Sequence, residues 1–162
     1  MPYLKSRLVS LSVSVAVVAG ITGGVAQAKS PNVVTAIRSQ DRLIKRSPAY
    51  KELQHFDVKT KAQARTLLKS FSALQREADH AASVVAAASA SSARQRTGQR
   101  DWVNGMREGA RGIGQFDTGI KDLLAGKKAD AKREVLRAEK TLKAGNALGS
   151  KGDKLLGLPT RD

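Results

Sequence analysis

Glycine recurs every seven residues at Gly98, Gly105, Gly112, Gly119 and Gly126, beside an apolar row of Trp102, Met106, Gly109, Ile113, Phe116, Ile120 and Leu123. Alternating steps of four and three put the apolar row on one face of an α-helix. Each glycine inside a helix costs about 1 kcal/mol relative to alanine. A regular stripe of them therefore signals a contact in which a side chain would be in the way. The expected use is close packing against an antiparallel neighbour at Gly98, Gly105, Gly112 and Gly119. The alternative is a groove that accepts a helix from a protein partner or from a second copy of the chain. Gly126 reads as the C-terminal cap of this helix, and Trp102 as core.

The same spacing runs through Ala64, Leu67, Phe71, Leu74, Ala78, Ala81, Val85 and Ala88. It returns at Ala131, Val135, Ala138, Leu142, Gly145 and Gly149, extended by Gly152 and Leu156 and widened by Leu136, Leu148 and Leu155. These rows predict a long helix from an Asp57 cap to about Ser92, one following the polar stretch 91–97, and one from the Gly126–Lys128 turn to about Leu156. Gly157-Leu158-Pro159 stops the last. Val33, Ile37 and Ile44 predict a leading helix capped by Ser30 with Pro31 in its first turn. Ser47-Pro48 breaks that helix, and a short piece from Pro48 to Phe56 follows. No alternating strand pattern competes, and short connections make sequential helices antiparallel. The expected fold is all-α: an antiparallel up-down bundle of three long helices plus a leading N-terminal helix, one domain over residues 29–162.

Residues 1–28 carry Lys5 and Arg7 ahead of an uncharged apolar stretch that closes on Ala26-Gln27-Ala28. This is the pattern of a cleavable signal peptide, with cleavage expected after Ala28. Serines and glycines dilute the stretch below what a permanent anchor needs. The chain has no cysteine, which excludes lipid attachment through Cys, disulfides, thiolate metal sites and cysteine nucleophiles. The expected location is secreted or associated with a bacterial cell envelope.

Charge is the other constraint. Lys and Arg number 29 against 14 Asp and Glu, a formal +15. Segment 127–162 holds ten basic and five acidic residues, whereas 93–126 holds six and four. Arg38, Arg42, Lys45 and Arg46 share one side of the leading helix. Lys127, Lys128, Lys132, Arg133, Arg137, Lys140 and Lys143 run down the last helix. Arg38, Arg42, Lys45, Lys128, Lys132 and Lys140 are the candidate anion-binding residues, because clustered cations release counterions when they meet a polyanion. Anionic cell-wall polymer or lipid headgroups are the expected ligands. Specific binding of chromosomal DNA is not expected, since no helix-turn-helix spacing, zinc finger or aromatic platform appears.

Nothing in the sequence marks an enzyme. His55 and His80 lack a second ligand at helical spacing. Most acids have a base three or four residues away, such as Glu108 with Arg111, Asp130 with Arg133, and Glu139 with Lys143. Hydrolase-elbow, zincin, nucleotide-loop and dinucleotide signatures are missing. No catalytic, cofactor-binding or metal-ligating residue is assigned.

Three stretches carry a resemblance: Trp102-Val103-Asn104-Gly105-Met106-Arg107, Leu124-Ala125-Gly126-Lys127-Lys128 and Leu156-Gly157-Leu158-Pro159. Over roughly 93–160 the chain resembles small exported helical proteins of actinobacteria, which have no assigned activity. The resemblance implies export and an all-helical fold, and it transfers no site residue.

Overall fold

The structure is a computed structural model that describes residues 31–54 and 60–159. The signal-peptide segment, His55, Phe56 and Asp57 lie outside the described residues. Those described form helices α1 (Val33–Arg46), α2 (Pro48–Gln54), α3 (Lys61–Ala86), α4 (Ala93–Leu124) and α5 (Lys128–Leu156), with no strand among them. The fold is all-α.

The starts of the helices differ from the sequence expectation, each for a local reason. Asn32, not Ser30, caps α1, its Oδ1 accepting from Val34 N at 2.9 Å. Helix cannot begin at Pro31, because Pro31 and Asn32 pair with the α3–α4 connection. Val33 N donates to the Ser89 carbonyl at 3.0 Å, and Ser89 N donates to the Pro31 carbonyl at 2.9 Å. Thr60 caps α3 in place of the expected Asp57. Its hydroxyl accepts from Gln63 N at 3.2 Å, while Gln63 Oε1 accepts from Thr60 N at 3.0 Å. This reciprocal pair satisfies two backbone donors at once.

Helix α3 stops at Ala86 rather than near Ser92. Gln99 of α4 reaches back and donates to the carbonyls of Val85 at 2.7 Å and Ala88 at 2.8 Å, which closes the end of α3 from outside. Ser92 is then free to cap α4, accepting from Gln95 N at 3.1 Å. The polar stretch expected to precede this helix is thus its first turn. Ser47-Pro48 separates α1 from α2 as anticipated. Gly126 and Gly157 follow α4 and α5 with φ of 81° and 68°, left-handed values that glycine adopts without strain.

The apolar rows face inward. Ala64, Leu67, Phe71, Leu74, Ala78, Ala81, Val85 and Ala88 are all buried, as are Trp102, Ile113, Phe116, Ile120, Ala131 and Ala138. Phe71 and Phe116 stack with centroids 6.0 Å apart. Leu136 departs from the expectation, being 55% exposed. Helix α4 occupies the centre: it approaches α5 most closely and α3 next, while α1 and α2 rest on α3. An added Cβ on Gly98 would meet Leu156, on Gly105 Gly145 and Gly149, on Gly112 Leu142, and on Gly119 Val135 and Ala131. Numbers fall along α5 as they rise along α4, so these two helices run antiparallel. The glycine row is a contact inside the chain, and α5 fills it.

Candidate functional site

The candidate surface is built by where helix packing sends charge. On α4 the glycine and apolar rows occupy the sectors facing α5 and α3. Acids set next to those sectors are drawn inward. The side chain of Asp101 is 6% exposed, Asp117 12%, Asp122 21% and Glu108 34%. Burying a carboxylate without a partner is costly, and each of these four has a cation nearby. Lys151 of α5 brings Nζ to 2.9 Å from Asp101 Oδ2, as an ion pair rather than an aligned hydrogen bond. Arg100 Nε lies 3.9 Å from Oδ1 of the same carboxylate. Lys121 pairs with Asp117, Lys127 approaches Asp122 at 3.9 Å, and Arg111 approaches Glu108 at 3.5 Å.

Helix α5 shows the same partition. Asp130 is held by Arg133 at 2.7 Å and Glu134 by Arg137 at 2.9 Å, Asp153 is buried with a partner, and Glu139 is half-buried with a partner. Every acid of these two helices therefore has an interaction within the chain, an ion pair in six of the eight. Lys128, Lys132, Lys140 and Lys143 on α5 remain exposed and without an ion pair among the described residues. So do Arg96 and Arg107 on α4.

The candidate residues of α1 are arranged differently. Arg38 is exposed, but Arg42 and Lys45 are half-buried and each already holds an interaction within the chain. The structure does not bring the α1 and α5 candidates into one cluster: α1 lies on α3, and α5 lies on α4.

Among protein families, curated proteins and solved structures, none matches this chain. The surface is accordingly read from its own chemistry.

Among the described residues no group of three or more His, Asp or Glu is placed to hold a metal ion. No described helix is long and apolar enough to cross a membrane. Sequence reasoning missed the arginines of α4. The near balance of acids and bases over 93–126 hides them, since a count weights a buried carboxylate like an exposed guanidinium. The available signal was the spacing of Arg96, Arg100, Arg107 and Arg111, at helical intervals on the side opposite the glycines.

Proposed function

We propose that this chain is an exported, non-enzymatic helical protein of the cell envelope or extracellular space that associates with anionic polymer through its outward basic faces. The observation that supports this reading is the charge partition. Six of the eight acids of α4 and α5 have a cation within 4 Å and the other two, Glu139 and Asp153, hold interactions within the chain, so what these helices present to a ligand is mainly positive. In the same reading, α3, α4 and α5 form an antiparallel up-down bundle with α1 and α2 as a leading layer. The leader 1–28 is removed after Ala28 before the protein reaches its site of action.

Counterion release supplies the mechanism. Several cations on a rigid helix displace the small ions condensed on a polyanion, and the entropy of those ions favours the complex. No induced change in the protein is needed, because the lysines already stand clear of the packed faces.

Replacing Lys128, Lys132 and Lys140 together by Gln tests the reading. These side chains are exposed, so melting temperature should hardly move. Titration with lipoteichoic acid at several salt concentrations should show weaker binding at low salt. The log–log salt slope should become shallower by up to about 3 if each lysine meets one phosphate. Equal affinity and equal slope for wild type and triple variant would count against the α5 face.

A further inference from the structure

We infer that the outer face of α4 is a docking row for the backbone of a linear phosphodiester polymer. The inference rests on the polyanion reading above and names the ligand chemistry and the residues. Arg96, Arg100, Arg107 and Arg111 follow one another by four, seven and four positions. At 100° per residue they lie within a sector of about 60° and span about 22 Å of helix axis. All four are exposed.

Two of the four lie beside an acid of the same helix while remaining exposed. Arg100 approaches the buried Asp101 through Nε at 3.9 Å, and its own side chain is 70% exposed. Arg111 brings Nη1 to 3.5 Å from Glu108 Oε1, with its side chain 67% exposed. Arg96 and Arg107 have no ion pair among the described residues. A partly oriented guanidinium loses less freedom on binding, and its planar fork matches two oxygens of one phosphate, as a lysine ammonium does not.

The composition of the row chooses among anionic ligands. The described residues with large exposed apolar side chains are Leu43 and Leu136, neither on α4. The row therefore has no wedge to insert into a lipid layer, unlike an interfacial helix. Tyr50, Phe71, Trp102 and Phe116 are buried, so no described aromatic offers a stacking surface for bases. What the row contacts is a string of phosphates, one after another along a line.

Two variants of the full exported chain separate this from simple charge attraction. One carries Lys at positions 96, 100, 107 and 111 and keeps the charge; the other carries Gln. Binding is measured against poly(glycerol phosphate), a thymidine homopolymer, poly-glutamate of matched charge, and vesicles containing anionic lipid. The Lys variant should lose on the order of five- to tenfold in affinity for both phosphodiester polymers. Wild type should bind both more tightly than poly-glutamate, whose carboxylates the fork also matches; equally tight binding of poly-glutamate would overturn the phosphodiester assignment. The Gln variant should weaken on all three polymers, and thermal unfolding of both should match wild type. If the Lys variant binds every polymer as wild type does, the row is generic positive charge and the inference fails while the polyanion reading stands. If vesicles are bound better than the polymers, the surface is a membrane face. If wild type binds no polyanion in a salt-dependent way, both readings fall together.

Discussion

At the scale of single residues, the two glycines of α4 that lie one turn apart, Gly105 and Gly109, have opposite roles. A Cβ on Gly105 would stand 2.7 Å from the carbonyl oxygen of Gly145 and 2.7 Å from the nitrogen of Gly149, both backbone atoms that cannot swing aside. A Cβ on Gly109 would meet nothing within 4 Å. Gly105→Ala should therefore destabilise the protein by about 1–2 kcal/mol, overpacking outweighing the gain in helix propensity. Gly109→Ala should stabilise it by up to about 1 kcal/mol. Urea unfolding of the two variants checks the pair, and stabilisation by both would mean that α4 and α5 have room between them. The sevenfold spacing makes the contacting glycines of α4 legible in the sequence. It does not reveal that the contact loosens toward Gly119, where the nearest atom to an added Cβ is 3.2 Å away on Val135. That gradient depends on which α5 residue stands opposite.

At the scale of elements, the ends of helices were less legible than their middles. Repeated apolar spacing locates α3, α4 and α5, because only one periodicity hides those rows from water. The capping pairs Thr60 with Gln63 and Ser92 with Gln95 also stand in the sequence, three residues apart, but Asp57 and the polar stretch 91–97 offer cap signals of the same kind. The end of α3 was not legible at all. It is met by Gln99, a residue of the next helix, whose amide donates to the Ala88 carbonyl and shares the Val85 carbonyl with Ala88 N. Gln99→Leu should leave the Ala88 carbonyl without its side-chain donor, Val85 O keeping the Ala88 N–H, and lower stability by about 1–3 kcal/mol. Gln99→Glu should be worse, since it presents acceptors to acceptors. Thermal unfolding of both variants tests this; no change in either would show that water replaces the amide at no cost.

At the scale of the whole molecule, charge and location belong together. The sequence made the net positive charge plain but not its distribution, because pairing such as that of Lys151 with Asp101 links residues fifty positions apart on neighbouring helices. The proposed export has its own measurement. Intact mass of protein recovered outside the cell should correspond to a chain beginning at Lys29, and recovery of the uncleaved chain in membranes alone would overturn cleavage. The architecture also has a consequence for how the protein folds. Helices α4 and α5 meet across a connection of three residues, Ala125 to Lys127, so their contact closes a short loop and should form early. The pairing of Asn32 with Ser89 closes a much longer one and should come late. Changes at Gly119, which faces Ala131 and Val135 close to that connection, should then act mainly on the rate of folding, and changes at the Asn32–Ser89 clasp mainly on the rate of unfolding. The clasp, rather than the tightest packing, should then set how long the native chain lasts once formed, as unfolding rates of variants at the two places would measure.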